Sequence, residues 1–223
     1  MEKLITLLLI GFSFSETTEF MVSFLGLNAA KVVITVDQIN FEGIDAKSIV
    51  YDTQTISGAK SLFPVDNYYK TIVSEDFSKI LYFEKSTSQP WLENNLKTIK
   101  VDNKNFYENS SIEIPANYLN IFSLLELLNQ ITITKLLEKQ FYLDREGQRY
   151  IASFNKGKNL DELLLDLNLL DDDLNSVIEE TDIFTWAVFR EGAKRILRVK
   201  NGKLVYCEFS LGFISMKANI IEK

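Results

Sequence analysis

The chain has 223 residues, with 24 Lys and Arg against 31 Asp and Glu, a single Cys and no His. A net charge of −7 without a basic tract gives no support to nucleic-acid binding or to docking on anionic membranes, since both need cations facing phosphates. The lack of His excludes Ser-His and Cys-His nucleophiles, and the lone Cys207 excludes an internal disulfide and leaves a poor ligand set for zinc.

The first residues place Lys3 ahead of the apolar run Leu4–Phe12 and the triplet Ser13-Phe14-Ser15, the layout of a secretory signal. The run is too short to span a bilayer, which takes roughly 20 apolar residues. Residues 1–15 are therefore expected to be a signal peptide cut after Ser15, and 16–223 a single β-rich domain that is periplasmic or secreted.

From Thr18 to Pro115 short β-branched and aromatic runs alternate with turn residues, and strands are expected near 18–27, 30–38, 46–55, 66–74, 79–86, 95–101 and 105–114. The turns are short, around Phe41-Glu42-Gly43, Ser74-Glu75-Asp76 and Asp102-Asn103-Lys104, which favours an antiparallel meander. Ile121, Leu124, Leu125 and Leu128 then recur at helical spacing, so 117–130 reads as an amphipathic helix capped by Asn117 or Asn120.

Strands follow at about 137–144 and 148–155. The acidic, leucine-rich stretch at 159–180 has a capping-box pair, Asn159 and Glu162, but does not decide between helix and strand. Further strands are expected at 182–190, 193–200, 203–211 and 213–221, with Asn201-Gly202 a strong hairpin signal. The fold class that results is mainly β: a curved antiparallel sheet or open half-barrel with one or two covering helices.

Candidate sites are few. Asp166, Asn168 and Asp171–Asp173 suggest calcium, but the loop template fails, with Leu170 at the fifth position, Asp171 at the sixth and Val177 at the twelfth. Asp66, Glu75 and Asp76, and the cations Lys194, Arg195 and Arg198, read as solvated or edge-protecting charges. Cys207, in line with Val205 and Phe209, reads as a buried small hydrophobe. Aromatic surface gathers at Tyr68, Tyr69, Phe83 and Trp91 and again at Phe184 and Trp186, and these six are the candidate ligand-binding residues. The 182–190 run is apolar on both faces, as a strand would be between a helix and an apolar ligand.

The order of elements carried by FMVSFLGLNAAKVVITVD, SLFPVDNYYKTIVSEDFSKILYFEKS, NIFSLLELL and FREGAKRILRVKNGKLVYCEFSL resembles an exported bacterial family, domain of unknown function 3108. Asn120 stands where that family tends to have Asp, and Ala193-Lys194-Arg195-Ile196 lacks its common Pro. The resemblance implies an exported protein with no assigned activity, and its sheet is similar, more loosely, to periplasmic lipoprotein carriers. The expected function is a non-catalytic envelope protein holding a lipid or other apolar ligand between sheet and helix, with no cofactor. Alternatives are an assembly module that pairs with another envelope protein through an edge near Lys203–Ile221, and a carboxylate-based hydrolase.

Overall fold

A computed structural model describes residues 15–59, 63–170 and 176–222. The leader expected at 1–15 lies outside these residues except for Ser15, as do Asp171–Asp173. The first half is a meander of β1 (Ser15–Phe24), β2 (Leu27–Phe41), β3 (Ile44–Thr55), β4 (Asp66–Ser74), β5 (Ile80–Gln89), β6 (Leu92–Val101), β7 (Lys104–Tyr107) and β8 (Glu113–Ile114). The second half runs β9 (Tyr118–Leu119), α1 (Ile121–Leu127), α2 (Ile133–Leu137), β10 (Gln140–Arg145), β11 (Gln148–Lys156), β12 (Glu162–Leu169), α3 (Ile183–Phe189), β13 (Lys194–Lys200), β14 (Lys203–Leu211) and β15 (Ile214–Ile220).

The fifteen strands of the described residues join one sheet in the order β8-β7-β6-β5-β4-β3-β2-β1-β15-β14-β13-β12-β11-β10-β9. The pairings are antiparallel except that of β9 with β10. The sheet's two edges, β8 and β9, are separated only by Pro115, Ala116 and Asn117, so four Cα steps of about 3.8 Å bring them within roughly 15 Å. The sheet thus curls into a nearly closed barrel, the curved open barrel the sequence predicts. Two-residue turns help to set the register. At Asn201-Gly202 (φ 51° and 74°) and Glu42-Gly43 (φ 51° and 81°) both residues are left-handed, the type I′ geometry that matches strand twist.

Helices α1 and α3 pack into the interior, whereas α2 buries only Leu136. Buried residues of α1 include Ile121, Phe122, Leu124 and Leu125, and its N-terminus is closed by a reciprocal cap between Asn120 and Ser123. Phe122 meets Tyr51 of β3 and Tyr69 of β4, at centroid distances of 5.0 and 4.4 Å, and Phe184 of α3 at 5.6 Å. Phe184 continues to Phe209 on β14 at 6.0 Å, so one aromatic chain crosses the barrel.

Several expectations are corrected. The run 182–190 is not a two-faced strand but helix α3. Asp182 caps it by accepting from the backbone N–H groups of Phe184 and Thr185 at 2.9 and 3.0 Å, and a run apolar on both faces also suits a short helix sunk in a core. The 159–180 stretch, left open between helix and strand, contains strand β12 at Glu162–Leu169, and the Asn159–Glu162 pair makes a turn in which Glu162 accepts from the Lys158 N–H at 3.0 Å. The 105–114 strand breaks after Tyr107, where Asn109 turns left-handed (φ 61°). The first hairpin turns at Leu25-Gly26 rather than after residue 27, the 117–130 helix is confined to Ile121–Leu127, and α2 takes the start of the 137–144 strand. The proposed free edge near Lys203–Ile221 does not exist, because β14 pairs β13 and β15, and β15 also pairs β1.

Candidate functional site

Two chambers lie along the inner face of β1. Alternate residues of a strand share a face, and Glu16, Thr18, Phe20, Val22 and Phe24 line them in that order. One chamber, of about 250 Å³, is walled almost wholly by carbon, from Val22, Phe24, Val32, Phe122, Phe184 and Met216. The other, of about 270 Å³, lies toward the β13–β14 turn and adds Glu16, Glu126, Asn129, Asn201 and Lys203 to its wall. Phe20, Ile34, Tyr51, Leu125 and Leu204 belong to both walls. For scale, a dry apolar cavity of roughly 150 Å³ accepts benzene.

Polar groups on the first chamber's wall are few: Thr53, Cys207 and Asn67, whose Oδ1 is buried without a hydrogen-bond partner. Cys207, on its wall, is buried, and burial pushes its thiol up to about 12, so it is an uncharged SH group. In the second chamber Glu126 accepts from Asn129 at 2.8 Å and Gln130 at 3.2 Å, yet burial still leaves its carboxyl above the usual range. Lys203 meets Glu16 at 2.6 Å where both are exposed.

Beyond the aromatic chain the interior is polar and largely paired, although Asp144 Oδ2 and Glu146 Oε2 are buried without a hydrogen-bond partner. Lys85 on β5 is 1 % exposed and contacts both Glu146, in the β10–β11 turn, and Asp182, the latter at 2.7 Å. Thr181 donates to Glu146 at 2.8 Å, and Thr185 donates to Asp182 at 2.7 Å. Burial pushes the Asp182 carboxyl up, but the Lys85 charge and the hydrogen bonds from Lys85 and Thr185 outweigh it and hold the group below the ordinary carboxylate range. Nearby, Tyr107 donates to Asp144, whose burial raises it to about 6 against those bonds. The void beside these groups is about 20 Å³, room for about one water. Arg195, read from sequence as an edge cation, is buried and donates to the carbonyls of Val188, Ala193 and Arg190, closing the C-terminal end of α3.

Of the six predicted ligand-binding residues, Tyr69 and Phe184 come together on the apolar chamber's wall. Phe83 stacks toward Phe122 at 6.3 Å and borders the small void instead. Tyr68 is only half-buried and alternates with Tyr69, on the opposite face of the sheet. Trp91 stands 96 % exposed at the tip of the β5–β6 turn, and Trp186 is half-buried under Arg190, 4.4 Å from the ring centroid. Phe20, Tyr51 and Phe122 were missed, although the alternation Phe20-Val22-Phe24 was a readable sign of an inward apolar face.

No family model matches the chain, and no curated protein matches it. Among solved structures it is similar to the crystal structure of a beta-barrel-like protein of domain of unknown function 1849 from Brucella abortus, at 10% sequence identity and a TM-score of 0.47, covering 92% of this chain and 96% of that one. The barrel-like architecture rests on the order and pairing of the strands themselves. Among the described residues no helix is long and apolar enough to cross a membrane.

Proposed function

We propose that this protein is a non-catalytic, exported envelope protein that holds an apolar molecule or a lipid chain inside its barrel, between the β1–β4 and β14–β15 wall and the helices α1 and α3. The observation that carries the reading is the chamber of about 250 Å³ with a carbon wall, because a polar void would fill with ordered water whereas an apolar one accepts an apolar guest. Export rests on the signal-like order of Lys3, Leu4–Phe12 and Ser13-Phe14-Ser15, and the resemblance to domain of unknown function 3108 rests on element order alone. A non-catalytic role is supported by the pairing of Glu146 and Asp182 to one lysine beside a void too small for a substrate.

The test is titration with N-phenyl-1-naphthylamine. Saturable one-to-one fluorescence enhancement is expected, and Ala30→Leu, which fills the apolar chamber, should abolish it. Absence of saturable binding, or equal binding by the variant, would overturn the reading.

A second reading, a protein-docking module, is favoured by a different observation. Leu27, at the start of β2, and Trp91 and Phe213, on turns, are strongly exposed at the same barrel end, where the β1–β2, β5–β6 and β14–β15 hairpins close. Crosslinking in cells would trap one dominant protein if this reading holds.

A further inference from the structure

The two chambers differ in polarity but share a wall, and Tyr51 stands in that shared wall. Its side chain is more than nine-tenths buried, while its hydroxyl, without a hydrogen-bond partner among the described residues, is not one of the buried unpaired atoms and so opens on the void, free to meet a ligand. Its ring packs against Phe122 on the apolar side, while Glu126, whose charge acts on the phenol, lines the polar chamber. Polarity therefore changes along β1 at one point: Val22 and Phe24 lie beyond it on the carbon side, Thr18 and Glu16 on the other.

Resting on the apolar-ligand reading above, we infer that the two chambers are one site for a single-chain amphiphile, its tail beside Phe184 and its head in the polar chamber on the Tyr51 hydroxyl and Glu126. The head is neutral or cationic and donates hydrogen bonds, as an alcohol or a primary amine does. The reason lies in the charges that meet it. Glu126 and Glu16 are both acids; among the described residues the cation on that wall, Lys203, is already bound to Glu16, and Lys47 acts from outside the wall on Glu126. An anionic head would face the Glu126 carboxylate, whose Asn129 and Gln130 partners supply donors to it and not to a ligand. Tyr51 can accept from a hydroxyl or amine head, or donate to it.

Three ten-carbon probes, decan-1-ol, decylamine and decanoate, separate the possibilities by competition with N-phenyl-1-naphthylamine at pH 7.5. Decan-1-ol and decylamine should bind about tenfold more tightly than decanoate, since a like charge in a partly desolvated site disfavours the anion. Tyr51→Phe should weaken decan-1-ol about fivefold, the usual net worth of one hydrogen bond. Glu126→Gln should erase the discrimination against decanoate. Equal binding of all three probes in the wild type overturns the inference while the apolar-ligand reading stands, and this comparison needs no variant to fold. No binding of any probe, with N-phenyl-1-naphthylamine also unbound, overturns the apolar-ligand reading itself.

Discussion

One ring of cross-strand neighbours joins two regions of opposite character. Ile34, Tyr51, Tyr69 and Lys85 face one another in register across β2, β3, β4 and β5. At the β2–β3 end of this ring lies the chamber walled by carbon. At the β5 end the interior is filled by an ammonium, two carboxylates and their hydroxyl partners. The polar side ties α3 to the β10–β11 turn and to β5, and a helix pinned at both ends cannot settle into the space beside it. Fixing the helix by charge therefore lets the neighbouring chamber persist.

Breaking the polar side should have the largest effect. Lys85→Met leaves Glu146 and Asp182 buried without their cation, and a loss of about 3–5 kcal/mol is expected in urea unfolding. The same variant should lose N-phenyl-1-naphthylamine binding in step with α3 order, and unchanged binding would show that the chamber does not depend on the anchored helix.

Asp144 provides a pH test on the same side. Its folded pKa is about 6 against an ordinary 3.8, so between about pH 4 and 6 the folded state holds more protons than the unfolded one. Stability should fall as pH rises through that window and stay lower above it, by about 2–3 kcal/mol for a shift of this size. Asp144→Asn keeps an acceptor for Tyr107 and should flatten that slope, which thermal melts across pH 4–7 would reveal.

Smaller effects sharpen the contrast. Asn120→Ala removes the α1 cap and its bond to Thr71 at 2.8 Å, and should cost about 1–2 kcal/mol, read as a lower urea midpoint. Lys203→Ser at the solvated mouth breaks only an exposed ion pair, so a change under about 1 kcal/mol is expected, shrinking further with added salt.

The meander was legible because each short alternating run ended on a turn residue. The 66–74 strand is observed as β4 (Asp66–Ser74), and Asn201-Gly202 makes the hairpin its residue types demand. What escaped depended on distant partners. IFTWAVF carries both a two-residue and a four-residue apolar pattern, and only the capping by Asp182 and the Arg195 clamp decide for helix. Lys85, in a strand with Glu84 and Ser86 beside it, resembles any solvated lysine, since its carboxylates come from a turn and a cap 61 and about 97 residues further along. Of the site, Tyr69 and Phe184 were visible as aromatic clusters, but chain proximity misled for Trp91, which sits on a turn, and for Tyr68, which faces the other way.

The pairing of β1 with β15 sets Phe20 opposite Ile220. The strand that carries the lining of both chambers thus gains its second neighbour only from the far end of the described chain. A nascent molecule on the ribosome would hold that lining uncovered on one side until β15 emerges, and such long-range closure is slow. During that interval the apolar residues of β1 are an exposed edge, a natural point of capture for chaperones and for misassembly between copies.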